Sequence, residues 1–148
     1  MKLTLATSLI VGFLAAPAFA DGHASGDAEA GEKAFNKCKS CHTLADGDGN
    51  VIVRGGKTGP NLWGLPGRTA GTEADFKRYK ASVVEAGEAG LVWNEDDFVT
   101  YVQDPTGFLK TKLDDSKARS GMTFRLRDEE EAANVWAYIA SVSPAPES

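Results

Sequence analysis

The chain has 148 residues, 16 of them Lys or Arg and 21 Asp or Glu, for a formal net charge of −5. That acid surplus argues against a nucleic-acid partner, which usually calls for a basic excess. The length suits one domain once a leader is set aside.

Residues 1–20 have the make-up of a secretory signal peptide. Met1-Lys2 is a short basic start, Leu3 to Ala16 is an apolar run, and Ala18-Phe19-Ala20 has the small-x-small form of a cleavage site. The apolar run is too short for a membrane span of about 20 residues. No other stretch could cross a bilayer, so membrane insertion is not expected. Without Lys2 the mature chain carries 15 basic and 21 acidic side chains, a net charge of −6. Residues 21–26 predict a flexible lead, 27–143 one folded domain, and 144–148 a short tail.

Asp27 to Cys38 predicts a helix. Asp27 is a good N-cap with acidic residues in the first turn, and Ala28, Gly31, Ala34 and Phe35 recur at helical spacing. Cys38-Lys39-Ser40-Cys41-His42 falls where this helix ends. Two thiols three residues apart, with an imidazole directly after the second, form the c-type haem attachment signature. On a helical turn both sulfurs can reach the haem vinyl groups, and His42 then faces the iron. In an exported chain the competing readings are a disulfide, a redox-active thiol pair and a zinc site. A thiol pair of the thioredoxin kind calls for a βαβ context, and none is visible. Zinc needs about four ligands, and the other histidine, His23, sits in a Gly/Ala/Ser-rich tail.

Leu44 to Thr72 reads as mostly irregular. Asp46-Gly47-Asp48-Gly49-Asn50 and Gly55-Gly56 are turn chemistry, and Val51-Ile52-Val53 between them suits a short ribbon. A loop this long in a small domain usually wraps something. A poorly periodic helix is expected around Thr72 to Ala86. A stronger one starts at Asn94, carries Phe98, Tyr101 and Val102 as an apolar stripe, and stops at Asp104-Pro105. Thr106 to Arg127 is expected to be irregular. The last helix begins at Asp128, with Glu131 as a capping-box analogue. Ala132, Val135, Trp136, Ile139 and Val142 form its inner face, and Pro144 lies beyond its end.

Met122 is the only methionine left once Met1 departs with the leader. A lone methionine is usually a flexible core filler. Met122 instead lies in a polar loop beside Gly121, where close backbone approach is possible. It is the expected sixth ligand of the iron, with His23 the competitor. Ligation by His42 and Met122 would fill both axial positions, leave electron exchange as the iron's chemistry, and raise its potential.

In combination and order these residues resemble the class I cytochromes c, specifically the larger bacterial group of purple photosynthetic bacteria and denitrifiers. The resemblance covers about Asp27 to Ser143. It rests on Cys38 to His42, Thr58-Gly59-Pro60-Asn61-Leu62-Trp63-Gly64, Gly67-Arg68, Trp93, Tyr101 with Asp104-Pro105, Met122-Thr123-Phe124, and Trp136-Ala137-Tyr138-Ile139. It implies an all-α cytochrome c fold: three to five helices joined by long loops around one haem c, bound covalently through Cys38 and Cys41. It implies that the Pro60 carbonyl accepts the Nδ1 proton of His42. It also implies that Arg68, Tyr79 and Trp93 reach the haem propionates, and that Tyr101 lies beside Met122 and tunes the iron through its hydroxyl. For Arg68 a surface role competes, and for Trp93 and Tyr101 core packing. Gly31 and Phe35 would meet the last helix near Tyr138. Two insertions, Asp46 to Gly56 and Leu113 to Ala118, set the chain apart from short mitochondrial-type members.

Basic residues gather near the expected haem edge: Lys37, Lys39, Arg54, Lys57, Lys110, Lys112, Lys117, Arg119, Arg125 and Arg127. Acidic runs lie at Glu73-Asp75, Glu85-Glu88, Glu95-Asp97 and Asp128-Glu131. A basic rim would steer the haem edge onto acidic redox partners. The expected protein is a soluble, monomeric, periplasmic one-electron carrier and not an enzyme. It would take electrons from a cytochrome bc complex and pass them to a reaction centre, a terminal oxidase or a denitrification reductase. The alternatives are a haem enzyme or gas sensor with a labile sixth ligand, and a thiol-disulfide protein without haem.

Overall fold

A computed structural model describes residues 24–144. The predicted signal peptide and His23 lie outside the described residues, as does the tail beyond Pro144. Helix α1 spans Ala28–Ala34 and tightens into a 3₁₀ turn over Phe35–Lys37. A two-stranded antiparallel ribbon follows, β1 (Leu44–Ala45) against β2 (Val51–Val53). Then come α2 (Ala81–Glu88), α3 (Glu95–Gln103), α4 (Pro105–Leu113) and α5 (Glu129–Val142).

Four of the five α-helices among the described residues start on a side-chain cap. Asp27 Oδ1 accepts from the amides of Glu29 and Ala30 at 2.8 and 3.0 Å, and Asn94 Oδ1 from Asp97 at 2.9 Å. Asp104 Oδ1 accepts from Gly107 at 3.1 Å, and Asp128 Oδ1 from Glu131 at 2.8 Å. Each cap satisfies a first-turn amide that no helical carbonyl can reach. The capping box at α5 is only half formed, because the Glu131 carboxylate turns away to Lys37 Nζ at 2.6 Å.

Two expectations need correction. The helix placed at Thr72 to Ala86 begins only at Ala81, and Thr72 to Lys80 is irregular. Phe76 and Tyr79 in that stretch pack edge to face, with ring centres 4.8 Å apart, and both turn into a cavity. Thr106 to Arg127 is not irregular throughout, because α4 occupies its first part. Asp104 ends α3 and caps α4, and Pro105 at the first helical position forgoes an amide that would have had no helical partner.

The core joins α1, α3 and α5. Val135 and Ile139 of α5 are fully buried, as are Leu109 of α4 and Leu44 of β1. Each such side chain contributes about 1.5–3 kcal/mol on leaving water. Helix α1 packs against α5 through Gly31, where a Cβ would overlap the Asn134 carbonyl and stand 2.9 Å from Tyr138 Cβ. Phe35 meets Tyr138 edge to face at 5.7 Å, as expected for that pair. The last residues of the predicted lead are tied to this body: Ser25 bonds the Glu95 carboxylate, and a Cβ on Gly26 would overlap Ala133. A short lacing brings 67–70 beside 91–93, with Gly67 N to Trp93 O and Trp93 N to Arg68 O both at 2.9 Å. That lacing sets Arg68 next to Trp93.

Candidate functional site

The Cys38 to His42 segment continues the 3₁₀ turn. The Phe35 carbonyl accepts from Cys38 and Lys39 at 2.8 and 3.1 Å, and the Cys38 carbonyl accepts from Cys41 and His42, both at 3.0 Å. A glycine-bearing loop closes over this turn. Gly56 N donates to Lys39 O at 2.8 Å, and Gly59 N to Cys41 O at 2.9 Å. A Cβ on Gly55 would overlap the His42 carbonyl, and one on Gly59 would overlap the His42 ring. Gly55 thus does more than turn the chain, because it lets two backbones touch.

His42 Nδ1 lies 2.7 Å from the Pro60 carbonyl. Only an N–H can bond there, so Nε2 keeps its lone pair. Burial pulls the His42 pKa down, partly opposed by the Pro60 bond. The neutral ring that results is the form that binds a metal. Burial, reinforced by the charge of Glu131, pushes the Cys38 thiol up to about 11. A protonated thiol is a poor nucleophile, which argues against a redox thiol pair. Among the described residues no cluster of three or more His, Cys, Asp or Glu could hold a metal, which argues against zinc.

Met122 stands on a loop pinned by three helices. Its amide donates to Ser120 Oγ at 3.0 Å, and that oxygen lies 2.8 Å from the Tyr101 hydroxyl of α3. Ser120 N donates to Thr106 Oγ1 of α4 at 3.2 Å, and Arg119 N to Ser82 Oγ of α2 at 3.1 Å. Tyr101 and Met122 border the same cavity, and the Tyr101 hydroxyl reaches the Met122 backbone through Ser120. Nothing but the Ser-x-Met spacing marked Ser120 in the sequence, as a side chain able to bond the amide two residues on.

One cavity of about 440 Å³ gathers these groups, within the range of cofactor sites. Cys38, Cys41, His42, Pro60, Arg68, Tyr79, Trp93, Tyr101 and Met122 all border it, as do Leu62, Leu65, Val83, Phe98 and Val102. Trp93 is 8 % exposed and meets Tyr101 edge to face at 5.1 Å. The Arg68 guanidinium donates to Asn61 O at 2.9 Å and to Trp63 O, and pairs with Glu73 at 3.1 Å. Burial raises the Tyr79 and Tyr101 phenols above their usual pKa, so both are neutral around pH 7. Lys80, Phe76 and Arg78 also border the cavity; their weak helical periodicity gave no sign of it. An apolar chamber with two thiols, a free imidazole nitrogen and a thioether on its walls fits a covalently bound haem.

No protein-family model matches the chain. It is 58 % identical over 143 residues to cytochrome c-551 of Roseobacter denitrificans, covering 97 % of each chain. It is 52 % identical over 142 residues to cytochrome c2 of Cereibacter sphaeroides, covering 95 % of this chain and 96 % of that one. The chain belongs to the class I c-type cytochromes. The crystal structure of cytochrome c2 from Rhodobacter sphaeroides matches this cytochrome with a TM-score of 0.79 at 55 % identity, over 82 % of this chain and 99 % of the other. The predicted helical cytochrome c fold is what these neighbours share. This cytochrome is accordingly an electron-transfer protein rather than an enzyme, and it carries covalent haem c. Cys38 and Cys41 are its only two cysteines.

Proposed function

We propose that this cytochrome is a soluble, monomeric periplasmic one-electron shuttle whose haem iron is held by His42 and Met122. The carrying observation is the 2.7 Å contact of His42 Nδ1 with Pro60 O, which frees Nε2 toward the cavity that Met122 also borders. The haem, when bound, supplies one-electron exchange at iron. The Pro60 carbonyl orients the imidazole and raises its basicity. Ser120, held by Tyr101 and Thr106, positions the Met122 backbone. The apolar walls exclude water, and the soft thioether favours the reduced state. Arg68, Tyr79 and Trp93, on the same walls, are the groups suited to meet the polar haem edge.

The donor is a cytochrome bc complex, and the acceptor a reaction centre, terminal oxidase or denitrification reductase, met at the basic rim. Of that rim, Lys37, Lys112 and Arg125 pair with Glu131, Asp97 and Asp104. Lys39, Arg54, Lys57, Lys110, Lys117, Arg119 and Arg127 form no ion pair among the described residues and remain for steering. No described helix is long and apolar enough to cross a membrane. The residue 1–20 leader supports export to the periplasm, which cell fractionation checks.

The visible spectrum tests the ligand pair. The reduced protein should be low-spin and unmoved by carbon monoxide, and the oxidised protein should show a weak far-red methionine–iron band. Met122→Ala should abolish the band and open the iron to carbon monoxide. A band that survives the substitution refutes the assignment. Carbon monoxide binding by the unaltered protein would favour the enzyme or sensor reading.

A further inference from the structure

Five ion pairs join the described residues, and in four of them at least one partner is open to solvent. The Lys33–Glu29 side chains are 76 % and 80 % exposed and those of Arg125–Asp104 45 % and 49 %, while in Lys37–Glu131 and Lys112–Asp97 the lysine is 52 % and 40 % exposed and its carboxylate partner 26 % and 22 %. Arg68–Glu73 is different: Nη1 to Oε2 is 3.1 Å, and the side chains are only 13 % and 17 % exposed. Arg68 cannot swing away, because the Asn61 and Trp63 carbonyls hold the same guanidinium. Those carbonyls follow Pro60, so the clamp is continuous with the support of His42. Glu73 reaches in from the irregular stretch that also carries Phe76 and Tyr79 to the cavity.

Charge at this wall therefore rests on two groups. Arg68 borders the cavity, and Tyr79 beside it is held neutral by burial. Lys37, Arg78 and Lys80 border the cavity too, but all three are exposed, where solvent and salt screen them. A guanidinium is always protonated. Left alone beside the haem it would oppose the positive charge gained on oxidation, and shielding from water would make that opposition strong.

We propose that Glu73 is a positioning residue for electron transfer: by cancelling the Arg68 charge at the cavity wall it lowers the haem midpoint potential. The inference rests on the haem occupying the cavity bordered by His42 and Met122. Two opposite charges this close act on the iron as a dipole rather than as a cation. The oxidised state then loses a repulsion that Arg68 alone would impose.

Spectroelectrochemical titration of the holoprotein tests this. Glu73→Gln should raise the midpoint, with a several-fold larger ferrous-to-ferric ratio at fixed potential; tenfold corresponds to about 59 mV for one electron. Glu73→Asp, which keeps the charge, should restore the wild-type value. Glu29→Gln removes the same formal charge from an exposed pair and should leave the midpoint unmoved. An unmoved midpoint in Glu73→Gln, or equal shifts in Glu73→Gln and Glu29→Gln, overturns the proposal. Should Glu73→Gln fail to fold, Arg68→Met leaves the carboxylate uncancelled and should lower the midpoint; a rise or no change overturns the proposal. The far-red band of the wild type keeps the two readings apart. Its absence refutes the His42/Met122 pair, whereas an intact band with an unmoved Glu73→Gln midpoint refutes the role of Glu73 alone.

Discussion

The Tyr101 hydroxyl sits 2.8 Å from Ser120 Oγ, and Ser120 Oγ accepts from the Met122 amide at 3.0 Å. Tyr101→Phe removes one side of that relay while leaving the ring packed on Trp93 and Phe108. The expected cost is about 0.5–1.5 kcal/mol, the net worth of one hydrogen bond, read as a lower urea midpoint. The far-red band should weaken with it, because the Met122 loop loses a tether. Asp46 shows the same economy at an exposed turn. The Asn50 side chain, followed by the amides of Asn50, Asp48 and Gly49, holds its carboxyl below the usual carboxylate range. A group with a lowered folded pKa adds stability above its unfolded value and loses it as pH falls through the folded one. The turn should therefore be fully supported above about pH 4 and weaken below it. Asp46→Asn should flatten that acid limb in urea unfolding, and an unchanged limb would show that other carboxyls carry it. At this scale Cys38, Cys41, His42 and Met122, which share the cavity wall, were singled out by the sequence because attachment chemistry is local and candidate ligand types are few, whereas Pro60 followed from the family resemblance. Ser120, Thr106 and Glu73 were not singled out, because each acts through a partner at least five residues away or through a single backbone amide.

Helices followed the same division. Asp27, Asn94 and Asp128 announced their helices because a cap needs only its own first turn. Asp104-Pro105 was legible as a stop, yet it is also a start. The same residue pair serves both helices, and Phe108 and Leu109 of α4 bury against the neighbours of α3 rather than along a long stripe of their own. The reverse error lies at Thr72 to Lys80, where Phe76 and Tyr79 are held out of a helix by the cavity they line. Helix α2, capped by no side chain, starts only after them. The α1–α5 contact depends on one glycine. Gly31→Ala drives a methyl into the Asn134 carbonyl, and the two helices must part. The expected loss is about 1–3 kcal/mol from overpacking, measured by urea unfolding of the holoprotein. A variant as stable as wild type would mean that α1 can shift freely on α5.

For the molecule as a whole, an acidic chain is expected to present a basic face. Sequence pI is about 5.0, yet seven rim cations carry no ion pair among the described residues. Electron transfer to an acidic redox partner should therefore slow as ionic strength rises from low salt through 0.15 M, where screening acts within about 8 Å. Stopped-flow oxidation by isolated acceptor checks this, and a rate indifferent to salt would remove the steering role. The sequence by itself determined the covalent haem, the imidazole beside it and the helical class, because five contiguous residues and a few caps encode them within one or two turns. It also singled out Met122 as the candidate soft donor, since the only other methionine is Met1. Only the tertiary structure decided what surrounds that pair: the glycine loop closed over His42, the Tyr101–Ser120 relay, the shielded Arg68–Glu73 pair and the aromatic segment held out of a helix. The first two join residues far apart in the chain, and the energies of all four come from burial and close approach that no local pattern records.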